Sequence, residues 1–272
     1  MALPHLLKLH VLASGSKGNC SIVEGPQGCI MIDDGIPRSA VLDRLSQVHV
    51  QPTDIKAIVL THEHNDHVQG LKVWTNKFDI PLFAPAGIPT ERKALSQLEI
   101  NTFEVGSELS LCGMSIQTFS TSHDVVNPCG YRFNYHDDAI AYVTDTGFLT
   151  PHACKVLQGA RILALETNHD VCMLQENQDY PRVLKERIAG NFGHLSNKDA
   201  ATYAKTLVTK DTEELIGMHL SQHNNRPSLA IKELCVALDA TLNPVDSACN
   251  FTGSKDGLHI CVASQTRPIS LG

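Results

Sequence analysis

The stretch Thr61-His62-Glu63-His64-Asn65-Asp66-His67 decides how this chain is read, because three imidazoles and the Asp66 carboxylate fall within six residues, directly after the apolar run Ala57-Ile58-Val59-Leu60. A strand sends alternate side chains to one face, so His62 and His64 can reach the same ion as the strand runs out. Asp66 and His67 are adjacent and diverge from that pair. They suit a second ion ~3.5–4 Å from the first, as in two-metal hydrolytic centres. A merely polar turn between strand and helix would leave the density of histidine unexplained.

Composition bounds the remainder. At 272 residues with 42% apolar content the chain can bury a sizeable core, and one large α/β domain is the expectation, over 1–264, with a polar tail over 265–272. The net charge of −7 offers no bulk attraction to nucleic acid or to an anionic membrane, so a polyanion must be held locally or by metal. Nine cysteines are scattered without a Cys-x-x-Cys pair, which fits reduced thiols in a cytoplasmic protein. Leu6 to Leu12 is broken by Lys8 and His10, too short and polar for a signal segment. No stretch approaches the ~20 apolar residues of a membrane span.

Read in order, the chain starts with that strand, then a small-residue loop over Ala13 to Cys20, strands at Ser21-Ile22-Val23 and Cys29 to Ile32, and a helix opened by Pro37 with Val41, Leu42 and Leu45 on one face. After the metal stretch the pattern predicts a helix of about three turns over 68–78, a strand at 81–84 and a helix over 89–98. Strands follow at 102–105, 108–111, 114–119, 131–135 and 139–143. The second half alternates: helix near 150–158, strand 161–165, helices near 180–189 and over 197–209, strand 214–218, helix 227–238 and a hairpin over 247–263. Ser196 with Asp199 makes a cap for the 197–209 helix. Two β-rich halves, each with helices, fit a two-layer sheet core covered by helices on both outer faces, with strand-end loops at one edge.

Of fourteen histidines, six lie at strand ends or loop starts among polar neighbours: His62, His64, His67, His123, His194 and His219. A two-metal hydrolase needs nitrogen and oxygen donors around each ion and a water that loses its proton near neutral pH. His62, His64 and His123 suffice for one ion and Asp66, His67 and His219 for the other, with Asp145 bridging. No thiolate belongs to the set, so two divalent transition-metal ions, Zn²⁺ or Mn²⁺, are expected.

These residues match in type and order the metal motifs of the metallo-β-lactamase superfamily: His62-Glu-His64-Asn-Asp66-His67, Ser122-His123-Asp124, Thr144-Asp145 and His219-Leu-Ser221. More narrowly, Leu12 to Cys20, Leu165-Glu166-Thr-Asn168-His169-Asp170, Gly193-His194-Leu-Ser196-Asn197 and His219 to Asn225 resemble the YycJ-type (WalJ) group, described as metal-dependent 5′-to-3′ DNA exonucleases linked to repair. The resemblance implies a four-layer αββα sandwich and a phosphodiester substrate. It makes Asp66 catalytic alongside His194, a proton donor oriented by Glu166 as in the tRNase Z family, and makes Ser14, Asn19, His169 and Asn225 candidate substrate contacts. Asp34 departs from the group, which has a small residue after Asp33.

The leading expectation is therefore a nuclease with a metal-bridged hydroxide, acting on DNA in preference to RNA. Lys17, Arg182, Lys185 and Lys198 are its expected phosphate contacts. The alternative is a small-molecule metallohydrolase, a thioesterase, lactonase or cyclic phosphodiesterase, which need not carry the His194 segment. A non-enzymatic metal-binding module would tolerate loss of Asp66, which is intact. Oligomeric state is not legible.

Overall fold

The computed structural model describes residues 7–88, 95, 98–245 and 250–272. They fall into two compact units, Met1–Ser120 with Val125–Ile140 and Ser264–Gly272, and Thr121–Asp124 with Ala141–Ala263.

In the first unit the strands β1 (Lys8–Ala13), β2 (Cys20–Gly25), β3 (Gly28–Ile32), β4 (Ile55–Val59), β5 (Leu82–Pro85), β6 (Ile100–Phe103) and β16 (Ile269–Leu271) form one sheet, in the order β16-β1-β2-β3-β4-β5-β6. Pairing is antiparallel from β16 to β3 and parallel from β3 to β6. Parallel neighbours need a crossover, and α1 (Arg38–Gln47) supplies the one between β3 and β4. Their apolar runs are buried almost throughout, as expected of strands covered on both faces. The core gathers Leu12, Ile22, Met31, Ile58 and Trp74, with Val41 and Leu45 from α1. Leu42, grouped with these two in the sequence, is 37% exposed. The same unit carries the antiparallel run β7 (Glu108–Leu111), β8 (Met114–Ser120), β9 (Cys129–Tyr135) and the start of β10 (Asp138–Val143).

The expected 68–78 helix is instead two short ones, α2 (Asn65–Val68) and α3 (Leu71–Thr75). The break has a cause at Gly70. Its N–H donates to the Asp34 carbonyl at 2.8 Å, and a Cβ there would lie 2.5 Å from Asp34 Oδ1, so the chain passes too close for a side chain. The expected 102–105 strand starts earlier, as β6. The helix expected over 89–98 falls largely outside the described residues. The last residues, read as a polar tail, include β16, whose Ile269 and Leu271 pair with Val11 and Leu9.

In the second unit the end of β10 begins a run β10-β11-β12-β15-β14-β13, made with β11 (Ile162–Glu166), β12 (Glu214–Met218), β13 (Thr241–Val245), β14 (Asn250–Lys255) and β15 (Leu258–Val262). β11, β12 and β15 are parallel. β14 and β15 form the expected hairpin, closed by Asp256 and Gly257, both at positive φ as a tight hairpin turn requires. The helices are α4 (Pro151–Leu157), α5 (Val171–Glu176), α6 (Arg182–Ile188), α7 (Asn197–Leu207) and α8 (Pro227–Leu238). Ser196 caps α7 as expected, accepting from Asp199 N. α5 and β13 were not legible in the sequence. Asp170 caps α5 by accepting from Met173 N at 2.9 Å. No helix of the described residues is long and apolar enough to cross a membrane.

Candidate metal centre

The candidate ligands of the first unit sit where β4 runs out. His62, His67 and Glu63 are buried, and His67 lies on the single turn of α2. Thr61 is the hinge of the local network. Its N–H and hydroxyl both donate to the Asp33 carboxylate at 2.8 Å, and its Oγ1 lies 3.0 Å from His62 Nδ1. Asp33 Oδ2 takes His67 Nδ1 at 2.7 Å. With Nδ1 of both rings engaged by oxygen, Nε2 is the nitrogen each can offer an ion. His64 faces the pair differently, with its Nδ1 3.2 Å from His62 Nε2. Two nitrogens on one tetrahedral Zn²⁺ at ~2.0–2.1 Å would lie about 3.3 Å apart, so this spacing fits a shared ion. Asp66 Oδ2 lies 3.5 Å from His67 Nε2.

Asn19, expected as a substrate contact, ties the small-residue loop to these ligands. Its Oδ1 accepts from Gly15 N at 2.9 Å, and its Nδ2 lies 3.0 Å from His67 Nε2 and 3.3 Å from Asp66 Oδ2. Ser14 is buried, its N–H bonded to the Ser264 carbonyl. Glu63 accepts from Val126 N at 3.1 Å, which anchors the motif's remaining carboxylate.

The second unit brings together Asp145, Glu166, His194 and His219, whose candidate ligand atoms lie within 4.8 Å of one another. Asp145 Oδ1 is 3.4 Å from His219 Nδ1, 3.7 Å from His194 Nδ1 and 3.8 Å from His123 Nε2. His123 turns its Nδ1 to the Gly193 carbonyl at 3.1 Å, and burial lowers its pKa against the raising effect of Asp145. Glu166 is fully buried. Its Oε1 meets Nδ1 of His194 at 2.8 Å and of His219 at 3.0 Å, while Oε2 accepts from Thr146 N and Leu195 N. Burial alone would raise this carboxyl, but the charge and hydrogen bond of His194, with those of His219, outweigh it and hold Glu166 well below the usual carboxylate range.

Three of these residues hold a backbone that side chains rarely adopt: Asp33 at φ 58, Asp145 at φ 56 and His219 at φ 56. Each follows within two residues of a strand end, β3, β10 and β12. Such strain costs about 1–3 kcal/mol per residue and persists where the surroundings over-determine it, commonly at functional sites.

His169 is buried with Nδ1 lacking a hydrogen-bond partner among the described residues, and burial, followed by the His194 charge, lowers its pKa to about 4. Asn225 spends its amide within the chain. Nδ2 donates to the Thr167 and Asn168 carbonyls, and Oδ1 accepts from Asn197 and Arg226 N. Lys17, Arg182 and Lys198 are exposed, Lys185 is half-buried with its Nζ donating to the Gln175 carbonyl at 2.7 Å, and Arg182 pairs with Glu186 at 2.6 Å. Sequence reasoning missed Asp33 and the Asp124–Arg187 ion pair at 2.6 Å. The signal for Asp33 was its place at a strand end, matching Asp145.

The set of imidazole and carboxylate donors without a thiolate suits divalent metal ions. Residues 13–161 match the family model of the metallo-beta-lactamase superfamily. The chain belongs to that superfamily. It is 33% identical over 235 residues to Exodeoxyribonuclease YycJ of Bacillus anthracis, covering 82% of this chain and 86% of that protein. Exodeoxyribonuclease WalJ of Streptococcus pneumoniae is 32% identical, with 82% and 85% covered. Among solved structures, the metallo-beta-lactamase fold protein YhfI of Bacillus subtilis matches with a TM-score of 0.71 at 16% identity, over 98% of this chain and 100% of that one. The metallo-beta-lactamase fold, mixed α/β with two sheets, thus covers 98% of the chain, and the two exodeoxyribonuclease relatives are hydrolases of that superfamily.

Proposed function

We propose that this chain is a two-metal phosphodiesterase that degrades DNA from the 5′ end. The observation that carries the reading is the Glu166–His194 pair, 2.8 Å apart, beside Asp145. A hydrolase that expels an alkoxide needs a proton or hydrogen bond at the leaving oxygen, and His194 is spare for that task once the ligands are assigned. The names of the two exodeoxyribonuclease relatives, aligned over most of the chain, support DNA as the substrate.

In this reading His62, His64 and His123 would hold one ion and Asp66, His67 and His219 the other, with Asp145 available to either. When bound, Zn²⁺ or Mn²⁺ supplies a water that ionises near neutral pH and screens the phosphate charge. Asp66 orients the nucleophile, Glu166 fixes the ring of His194, and His194 delivers the proton to the departing oxygen. Asn19 keeps Asp66 and His67 in register, and His169 stands near His194 as a contact for the substrate. A cytoplasmic place and a repair role agree with the free thiols of the described cysteines and with the resemblance to a repair-linked group.

The test offers the purified protein, with Mn²⁺ or Zn²⁺, a labelled duplex, single-stranded DNA, RNA and a simple phosphodiester, and in parallel a thioester, a lactone and a cyclic phosphodiester. Stepwise release of nucleotides from the 5′ end of DNA is expected. Turnover of a thioester, lactone or cyclic phosphodiester without degradation of nucleic acid would instead establish the small-molecule hydrolase.

A further inference from the structure

Among the described residues, two large aromatic side chains are left substantially exposed, Phe148 at 38% and Phe192 at 65%. Both belong to the second unit, and the backbone brings them together. Gly147 packs so closely on the neighbouring turn that a Cβ there would lie 2.3 Å from the Asn191 carbonyl oxygen and 2.5 Å from that of Gly190. Phe148 and Phe192 are the residues that follow the two sides of that contact.

Both turns are pinned. Ser122 Oγ donates to the Asn191 carbonyl at 2.7 Å, and Thr146 Oγ1 donates to the Phe148 carbonyl at 2.6 Å. Gly193 N bonds the Gly190 carbonyl and His194 N the Ile188 carbonyl, each at 2.9 Å. The same two turns carry the chemistry, since Asp145 precedes Phe148 by three residues and His194 follows Phe192 by two. Rigid loops that hold apolar rings in water forgo the gain of burying them, and such exposure beside a reactive centre points to a ligand with apolar faces.

Charge narrows the ligand. α6 ends beside this turn, and its last turn carries Lys185 and Arg187, with Arg187 half exposed while it pairs with Asp124. Flat apolar faces bordered by cations suit unpaired bases on a phosphate backbone, where each base stacks on a ring and the backbone meets the cations. We propose that Phe148 and Phe192 form a stacking platform for the unpaired bases at the reacting end of a nucleic-acid strand. The proposal rests on the nuclease reading and adds where the bases go. Every base has a π-face, so the platform is tolerant of sequence and favours a frayed or single-stranded end over a closed duplex.

The experiment compares wild type, Phe148→Ala, Phe192→Ala and the double variant, with Mn²⁺, on a single-stranded oligonucleotide and on the same strand with abasic sites at its reacting end. Wild-type KM should be about tenfold lower for the base-bearing strand, and the double variant should lose that preference. Phe192→Trp should retain it, which separates the need for a flat face from any need of the fold. Equal KM values for wild type on the two strands, a preference that survives in the double variant, or its loss in Phe192→Trp overturns the platform and leaves the nuclease reading standing. A wild type that hydrolyses bis(p-nitrophenyl) phosphate but no nucleic acid overturns the nuclease reading, and the platform with it.

Discussion

Glu166 holds His194 through one carboxylate oxygen, Oε1 to Nδ1 at 2.8 Å, and spends the other on the backbone N–H groups of Thr146 and Leu195. The carboxylate is thus a bracket on which the imidazole is mounted. If His194 protonates the leaving oxygen, His194→Ala should lower kcat by roughly 10²–10⁴ with metal and fold retained. The loss should shrink on an ester whose leaving group needs no proton. Equal losses on good and poor leaving groups would remove the acid role.

The same bracket predicts a division between activity and stability. Glu166→Ala leaves two buried backbone donors and two imidazoles without their acceptor, at ~1–3 kcal/mol for each buried donor. Its melting temperature should fall by roughly 5–15 °C. His194 is partly exposed, 19% at its side chain, and is one of four groups bonded to Glu166, so His194→Ala should lower the melting temperature by less than Glu166→Ala. Comparable melting of the two variants in calorimetry would mean that Glu166 is not the tie described.

Much of this site was legible because its chemistry is written at strand ends. The His62 to His67 stretch, His123, Asp145 and His219 all follow apolar runs that became β4, β8, β10 and β12. What could not be read was pairing across distance. Asp33 and His67 are 34 residues apart, and Glu166 and His219 are 53 apart, so their bonds exist only once the strands are aligned. The 68–78 helix was misjudged for a similar reason. Local periodicity continued through Gly70, but the close approach of Asp34 that breaks it comes from another segment.

Metal content is the simplest check on the donor set. Seven candidate ligands suit two ions that share Asp145, so elemental analysis after saturation with Mn²⁺ or Zn²⁺ should return close to two per chain. Because ions bind the folded state, chelation should also lower the melting temperature. A stoichiometry that stays near one would contradict the two-ion assignment.

Asp66, proposed above to hold an ion and orient the nucleophile, has its side chain 25% exposed rather than packed in the core. Asp66→Ala should therefore fold and lose hydrolysis almost entirely, since one ion and the orientation of the nucleophile depend on it. Circular dichroism and turnover on the same preparation test both halves. More than a few percent of wild-type turnover, with metal still bound, would show that Asp66 is dispensable.

Asp34 makes a prediction about pH. It is fully buried, and neither carboxylate oxygen has a hydrogen-bond partner among the described residues. Burial, and then the charge of Asp33, pushes its pKa from 3.8 up to about 7. In the unfolded chain the group loses its proton near 3.8, so between there and about 7 the folded state holds a proton that the unfolded state lacks. The resulting stability is full below the unfolded pKa and is lost as pH rises through about 7, by at most ~4 kcal/mol. Asp34→Asn keeps the shape and abolishes the titration. In metal-free protein, its melting temperature relative to wild type should therefore climb as the buffer is taken from acidic to mildly alkaline pH. A difference that stays constant across that window would mean that Asp34 is paired or solvated in solution and carries no raised pKa.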